Sequence, residues 1–533
     1  MAELLVPVYT SIDQVNERNE QTQKRIKVAE EFRARYGRNP TYIARAPGRV
    51  NLIGEHIDYA LFGVFPAAIE RDILIALAPR PLNDQPGVIV ANADPKYAEQ
   101  RFSPSRAIAT AGARDQDAWL IDINTNELRW DSYVKAGYYG VLNNFFREGE
   151  SDPTPVDMLI SGTIPAGSGL SSSAAIVVAS TLGFLAVNDK LNGMTKGRLV
   201  EIAVANEKRV GVNSGGMDQA ASVISTPNSA LYISFYPTLS AQLIELPTER
   251  TDPPAVFVIA NSLVVSDKAV SAKTQYNLRV VETLVGARIL ANRLGVKIGR
   301  QEKVTFREVL GRWISGDERE SGKEIEMEKG LESILEEVES LKPPPETVAS
   351  GQLGVTMEEM INLSGLPQSE FHQLYLSWVE VEATHFHLYN RARHVFSEAL
   401  RVLQFRNLCL KSQPCSQPSS AEETLQALGN LMNESHRSCS DLFDCSCPEL
   451  DELTALARAS GAYGSRLTGA GWGGCTVSLV SESKVEDFKN KLRAGYSRYR
   501  DLTGEKLNEV VFATKPSSGA FVLQLEVLGV AQK

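Results

Sequence analysis

The segment PAGSGLSSSAAIVVAS, residues 165–180, starts with small and polar residues and then becomes apolar. Gly167 and Gly169 let a ligand approach the backbone closely, and three serines follow where a helix is predicted to begin. The first turn of a helix leaves several N–H groups unpaired, and together with the helix dipole they suit a phosphate group. The segment lacks the G-K-[ST] ending of a Walker A loop. Taken alone, it is explained equally well as an ordinary Gly/Ser turn that caps a buried helix.

The composition is that of a large acidic chain. Its 533 residues are 43% hydrophobic, and this length predicts two or more domains. The net charge of −10 argues against a general nucleic-acid or membrane-surface binder, because such proteins need a basic face. No apolar stretch is long enough to span a bilayer, no secretory signal is apparent, and six cysteines make no disulfide framework. We therefore expect a cytoplasmic protein.

The order of the predicted elements indicates α+β layers more than a regular βαβ array. Strands are predicted over 42–46, 72–79, 87–93, 156–161, 230–235 and 255–265. Helices are predicted over 171–187 and 196–210, with long ones starting at 387, 424 and 448. Ser483 and Glu486 have the spacing of a capping box. We expect domains at 1–252 and 253–533, with a charged insertion at about 316–360 as a solvated helical excursion.

Two further segments concentrate polar side chains. RAPGRVNLIGEHIDYALFGVFPAAIERD (45–72) places Arg49, Glu55, His56 and Asp58 within ten residues. Such a cluster can hold the hydroxyl groups of a sugar, although a salt-bridged loop has the same composition. NEKRVGVNSGGMDQAASVIS (206–225) places Asp218 after two glycines, at the start of a helical run. That residue is either stabilised there by the helix dipole or oriented as a general base.

Together with GSRLTGAGWGGCTVSLV (464–480), these segments resemble the signature set of the galactokinases, within the GHMP small-molecule kinases. GRVNLIGEHIDY is similar to the galactokinase signature, GSGLSSSAA to the ATP motif and TGAGWGGC to the third family motif. The resemblance covers about residues 43–519 and looks nearest to fungal galactokinases. It implies an N-terminal domain like the second domain of ribosomal protein S5, a C-terminal ferredoxin-like α+β domain and an active site in the cleft between them. It also implies ATP-dependent phosphorylation of D-galactose at the anomeric hydroxyl.

The resemblance implies a role for each matching residue. Asp218 is the implied catalytic carboxylate, and Arg49 the arginine that steadies it and the transferring phosphoryl group. The implied sugar-binding residues are Arg49, Glu55, His56, Asp58, Ser214, Gly215, Asp218 and Tyr276. The implied ATP-binding residues are Gly167, Gly169, Ser171, Ser172, Ser266, Asp267 and Lys268. Ser173 and Glu207 match the Mg²⁺ ligands of relatives. The glycines of TGAGWGG either pack against the ATP motif or form a purely structural hairpin.

Two other functions stay open. Some fungal relatives bind galactose and ATP without turnover and sequester a transcriptional repressor, but they lack a Ser-Ala pair after GLSSS that is intact here. N-acetylgalactosamine kinases carry nearly the same signatures. The resemblance favours a galactokinase with galactose and ATP as small-molecule substrates, no nucleic-acid or membrane partner, and a monomeric state. A repressor partner stays open, since some active fungal galactokinases also act as sensors.

Overall fold

The computed structural model describes residues 1–15, 19–81, 87–106, 118–124, 127, 129–146, 152–211, 215–250, 254–265, 271–315, 324–343, 354–411 and 421–525. The strands within these ranges are β1 (Val8–Tyr9), β2 (Tyr42–Ile53), β3 (Phe65–Pro79), β4 (Val88–Asn92), β5 (Gln100–Phe102), β6 (Ser105–Arg106), β7 (Trp119–Leu120), β8 (Val156–Gly162), β9 (Ser229–Ser234), β10 (Ser240–Glu245), β11 (Ala255–Asn261), β12 (Gly464–Thr468), β13 (Cys475–Ser481), β14 (Val511–Thr514) and β15 (Phe521–Gln524).

The helices in the same ranges are α1 (Asn19–Tyr36), α2 (Trp130–Phe145), α3 (Ser172–Val187), α4 (Lys196–Glu207), α5 (Met217–Ile224), α6 (Tyr276–Leu294), α7 (Phe306–Ser315), α8 (Glu324–Glu337), α9 (Met357–Ser364), α10 (Gln368–Phe371), α11 (Leu388–Lys411), α12 (Ala421–Asp441), α13 (Pro448–Ala459), α14 (Val485–Gly495) and α15 (Gly504–Val510). None of the helices in this part of the chain is both long and apolar enough to cross a membrane.

A seven-stranded mixed sheet, in the order β1-β15-β2-β3-β8-β4-β5, forms the first layer. Successive residues of a strand point to opposite faces, so Leu74 and Ala76 of β3 join the apolar cluster under α1. Ile75 and Leu77, between and after them, join the larger core with α2 and α3. Both faces of the sheet are therefore covered, which explains why β3 is a nearly continuous apolar run.

A four-stranded antiparallel sheet, in the order β12-β13-β11-β14, forms the second layer. Its connectivity is strand–helices–strand–strand–helices–strand, and its spatial order is the one expected for a ferredoxin-like unit. Apolar side chains of β11 pack against α13 and α14, including Val256, Val258, Leu453 and Phe488. The expected α+β class is thus confirmed. The boundary near residue 252 stays a prediction, and the last strand, β15, returns to pair with β2 in the first sheet.

Three local predictions need correction. The capping box at Ser483 is wrong, because residues 482–484 form a 3-10 turn and the Ser483 hydroxyl bonds Ser481 Oγ at 3.1 Å. The strand predicted over 255–265 ends at Asn261. The charged insertion is helical in its described part but not merely solvated. Leu331 and Ile334 of α8 are fully buried in the main core.

Candidate active site

The first glycine loop (residues 165–171) connects β8 to α3. Gly167, Gly169 and Ser171 all have left-handed backbone angles, with φ of +66°, +73° and +60°. α3 begins at Ser172, and the N–H of Ala175 is the first to bond back into the helix, to Ser171 O. The preceding amides of this turn have no intrahelical acceptor. The Ser171 hydroxyl is also buried without a hydrogen-bond partner among the described residues. These donors make the loop a candidate anion site.

The second glycine loop (residues 469–474) packs directly on the first. A Cβ on Gly469 would lie only 2.4 Å from Gly169 O, and one on Gly474 would lie 2.8 Å from Ser168 O. No side chain fits at these two positions, because the two backbones touch. Of the two explanations open for the TGAGWGG glycines, packing against the ATP motif is the one observed.

Arg49 on β2 bridges the first glycine loop and the aspartate of the third segment. Its Nε donates to Asp218 Oδ1 at 2.7 Å, and its Nη1 donates to Gly169 O at 2.6 Å. Asp218 lies in the first turn of α5, after Gly216 in a left-handed conformation. Arg49 is 1% exposed and Asp218 8% exposed, so this ion pair is largely shielded from water. Charge-assisted bonds in such a setting fix both side chains firmly.

The polar loop (residues 51–58) begins at the end of β2 and carries Glu55. The two carboxylate oxygens of Glu55 accept hydrogen bonds from Gly469 N and Asn51 Nδ2. Arg466 on β12 approaches the same carboxylate at 3.9 Å. Burial raises the pKa of Glu55, and the nearby arginines oppose that rise. Glu55 therefore joins the polar loop to the second glycine loop.

His56 in the polar loop has a left-handed backbone, with φ of +60°. Its Nε2 lies 2.8 Å from Ala470 O and must donate there, because a carbonyl only accepts. In the neutral ring, Nδ1 then accepts from the Tyr59 hydroxyl at 3.0 Å. The ring also lies 5.4 Å from that of Tyr276. These contacts hold the imidazole in one orientation at the site.

Asp58 brings the polar loop to the candidate base. A Cβ on Gly215 would lie 2.6 Å from Asp58 Oδ2, so the bare backbone of that glycine borders the carboxylate. Burial, and secondly the negative charge of Asp218, raise the pKa of Asp58 to about 6. Backbone amides of Tyr59 and Met217 oppose the rise. The two aspartates therefore lie close together in a buried part of the site.

Tyr276, the first residue of α6, closes this side of the site. It is 7% exposed, and its ring centroid lies 5.5 Å from that of Tyr59. Burial raises the pKa of its hydroxyl well above 10, and the carboxylates of Asp58 and Asp218 add to the rise. The hydroxyl is thus a protonated hydrogen-bond donor beside two carboxylates.

The two residues that match metal ligands lie on neighbouring helices. Glu207 is the buried last residue of α4, and Gln219 Nε2 donates to its Oε2. Gln219 Oε1 is buried with no hydrogen-bond partner within the described ranges. Ser173 lies half-buried in the first turn of α3. Carboxylate, carboxamide and hydroxyl oxygens are the donors that a hard divalent cation prefers.

Four predicted residues lie outside the described part of the chain: Ser214, Ser266, Asp267 and Lys268. Conversely, four buried residues at the site were not predicted, and they are Asn51, His394, Glu398 and Arg466. Asn51 lies in GRVNLIGEHIDY and Arg466 in GSRLTGAGWGGCTVSLV, so their positions inside these segments could have indicated that they lie at the site. His394 and Glu398 stand in a helix far along the chain, and the sequence offers no signal that they reach the polar loop.

Three family models match the chain in the expected order. Residues 30–79 match the galactokinase galactose-binding signature, residues 132–226 the N-terminal domain of GHMP kinases and residues 417–498 the GHMP kinase C terminus. The first two matches contain the polar loop, the first glycine loop and Asp218. The third contains the second glycine loop.

Curated relatives cover nearly the whole chain. A galactokinase of Saccharomyces cerevisiae is 35% identical over 93% of this chain and 94% of its own length. A galactokinase of Dictyostelium discoideum is 35% identical over 98% and 99%, respectively. Among solved structures, galactokinase of Lactococcus lactis complexed with galactose aligns with a TM-score of 0.62 at 23% identity, covering 93% of this chain and 99% of that one. The last match shows a common fold, and the full-length identities show that this chain belongs to the galactokinase family of GHMP kinases.

Proposed function

We propose that this chain is a galactokinase, which transfers the γ-phosphoryl group of ATP to the anomeric hydroxyl of D-galactose. The products are galactose 1-phosphate and ADP, in the first committed step of galactose catabolism. The observation that carries the proposal is the Arg49 guanidinium, which contacts Asp218 at 2.7 Å and Gly169 O at 2.6 Å. The buried Arg49 side chain thereby brings the candidate base close to the candidate phosphate loop. Phosphoryl transfer between two bound substrates requires that the base and the phosphate-binding loop lie close together.

The proposed sugar site lies between the polar loop, Gly215 and Tyr276. Carboxylates, an imidazole and a phenol pair well with sugar hydroxyls, and a wrong stereocentre leaves such buried groups unsatisfied. A site of this kind discriminates by up to about 10⁴-fold, which is enough to reject glucose. Asp58 and Tyr276 support this assignment best, because both are buried and lie close enough to Asp218 for its charge to raise their pKa values. Ser214 is proposed as a further contact on the resemblance alone.

In the proposed reaction, Asp218 accepts the proton of the anomeric hydroxyl as its oxygen attacks the γ-phosphorus. The bond between the γ-phosphorus and the β–γ bridging oxygen breaks, and ADP leaves with the electron pair. Arg49 orients the Asp218 carboxylate, and its positive charge stabilises the phosphoryl group during the transfer. An arginine in this role is worth about 10³-fold or more in rate.

The proposed nucleotide site uses the first glycine loop, with its free first-turn amides and the hydroxyls of Ser171 and Ser172. Ser266, Asp267 and Lys268 are proposed nucleotide contacts from the resemblance. Ser173 and Glu207 would hold Mg²⁺, and the unpartnered Gln219 Oε1 beside Glu207 fits a further oxygen ligand or a metal-bound water. Bound Mg²⁺ neutralises charge on the phosphates. A cytoplasmic location, a monomeric state and a repressor partner stay predictions.

The test is an ADP-release assay with purified protein, Mg-ATP and three sugars: galactose, glucose and N-acetylgalactosamine. Turnover is expected on galactose, with glucose at background. Faster turnover on N-acetylgalactosamine than on galactose would identify N-acetylgalactosamine as the substrate instead. Galactose and ATP binding without turnover would identify a sensor and overturn the enzymatic proposal.

A further inference from the structure

Two side chains of α11 form hydrogen bonds with the backbone of the polar loop. Glu398 Oε1 accepts the Gly54 N–H at 2.9 Å, and His394 Nε2 lies 3.0 Å from the carbonyl oxygen of Glu55. The two residues are four apart in a helix and therefore share one face. Both are 0% exposed. They bind the peptide groups on either side of the Gly54–Glu55 peptide, more than 300 residues away in the chain.

The chemistry of Glu398 is that of a permanently charged acceptor. Its Oε1 also accepts from the Ser435 hydroxyl at 2.6 Å, and its Oε2 accepts from Arg401 Nε at 2.8 Å. Burial raises its pKa, but Arg401, Arg466 and His394 outweigh burial and lower it to about 2. The carboxylate is thus ionised and fully occupied. No other acceptor for Gly54 N–H is present among the described residues.

His394 is held as one neutral tautomer. Its Nε2 must donate, since it faces the Glu55 carbonyl, so Nδ1 accepts from the Ser438 hydroxyl at 2.9 Å. Burial lowers the pKa of this ring to about 4. The histidine therefore acts as a fixed donor to the loop.

Arg466 holds the opposite end of the polar loop. Its Nη1 donates to Asn51 O at 2.9 Å, and its Nε donates to Ser435 Oγ at 3.0 Å. Ser435 thereby links Arg466 to Glu398 in one buried network. Packing adds to these bonds, because Val402 on α11 lies 3.1 Å from where a Cβ on Gly54 would be. The loop backbone is held on both sides of Glu55.

We propose that Glu398 and His394 are positioning residues that set the affinity for the sugar by fixing the backbone that presents Glu55, His56 and Asp58. The proposal rests on the proposed function, in which those three residues bind galactose. Neither α11 residue contacts the first glycine loop in the described part of the chain, so the larger effect is expected on the sugar side. A displacement of about 1 Å in such a loop weakens a positioned site by up to about 10²-fold.

The test compares Glu398→Gln with Asp72→Asn as a matched control. Glutamine keeps the length of the side chain but offers a single acceptor atom to three donors: Gly54 N, Ser435 Oγ and Arg401 Nε. Asp72 is an equally buried carboxylate, paired with Arg45 at 2.8 Å in the same sheet and without contact to the polar loop. Glu398→Gln should raise the galactose KM about tenfold and leave the ATP KM within twofold. Asp72→Asn should lower the melting temperature with both KM values unchanged.

Two results would overturn the inference: a galactose KM within twofold of wild type, or equal increases in both KM values. If Glu398→Gln does not fold, Ser435→Ala removes two hydrogen bonds of the same network, to Glu398 Oε1 and from Arg466 Nε, and should raise the galactose KM about threefold with the ATP KM unchanged. An unchanged galactose KM in Ser435→Ala would also overturn the inference. The activity of the wild-type protein distinguishes failure of the proposed function from failure of this inference. If the wild-type protein does not turn over galactose, the proposed function is wrong, and this is known before any variant is compared.

Discussion

Asp58→Asn is expected to stabilise the ligand-free protein while weakening galactose binding. The pKa of the Asp58 carboxyl is about 6 in the folded chain, because of burial and the neighbouring Asp218, against 3.8 ordinarily. For a folded pKa above the unfolded one, the stabilising contribution is complete below pH 3.8 and is lost as the pH rises through 6. The difference of about 2 pH units, at 1.36 kcal/mol each, corresponds to about 3 kcal/mol lost at pH 8. Asparagine carries no charge and avoids that loss.

The magnitude converts to a measurable change in melting temperature. An unfolding entropy of about 2.1 cal/mol/K per residue makes 3 kcal/mol equivalent to about 3 °C for a chain of this length. Thermal unfolding without ligands should therefore show Asp58→Asn melting about 3 °C above wild type at pH 8. The gain should fall to about half at pH 5, where wild-type Asp58 is mostly protonated when folded.

The same samples test the sugar role of Asp58. Added galactose should raise the melting temperature of wild type, since a ligand that binds the folded state stabilises it, and should raise that of the variant much less. The reasoning fails if the variant melts at or below wild type at pH 8, or if its gain is as large at pH 5 as at pH 8. Either result would mean that burial and the neighbouring charge of Asp218 do not raise the pKa of Asp58 in the folded chain.

Three further changes probe other parts of the site. Asp218→Asn should lower kcat by about 10³-fold with the ATP KM nearly unchanged, and a kcat within tenfold of wild type in the coupled assay would exclude it as the base. Gly169→Ala should raise the ATP KM at least tenfold, because its Cβ would lie 2.9 Å from Thr468 O at a φ of +73°, and an unchanged KM would separate the two glycine loops from nucleotide binding. His394→Gln should make stability less sensitive to low pH. The pKa of His394 is about 4 in the folded chain against 6.5 unfolded, so wild type loses about 3 kcal/mol of stability as the pH falls from 6.5 to 4. A difference in melting temperature between variant and wild type that does not change with pH would contradict this.

The first glycine loop was predictable from the sequence because it is short and contiguous. The glycines and serines before α3 specify left-handed turns and free amides within seven residues, and local chemistry alone predicts that arrangement. Arg49 and Asp218 needed the resemblance as well, since their ion pair joins residues 169 positions apart. Spacing within one segment carries no information on such a pair.

The supporting contacts could not be predicted for the same reason. His394 and Glu398 form part of an ordinary amphipathic helix by pattern, and only the folded chain shows that this face meets the Gly54 peptide. The wrong capping box at Ser483 has a related origin. Its S-x-x-E spacing is correct, but β13 continues to Ser481. The Ser483 hydroxyl forms a hydrogen bond with the Ser481 hydroxyl and not with the backbone of the next helix. Tertiary context decided between two locally acceptable pairings.

The same helix that holds the polar loop also holds the opposite wall of the proposed sugar site. Arg391 of α11 donates to Glu282 at 2.8 Å, and Glu282 lies on α6, which begins with Tyr276. Both walls therefore take their positions from α11, through hydrogen bonds to the polar-loop backbone on one side and the Arg391–Glu282 ion pair on the other, and none of these contacts needs a ligand to form. That rigidity explains how Asp58 and Asp218 stay close together despite their repulsion. In the proposed complex, sugar hydroxyls pair with both carboxylates and relieve this repulsion. The stability gain expected for Asp58→Asn in the empty site and the affinity loss expected for Glu398→Gln are therefore two effects of one preorganised arrangement.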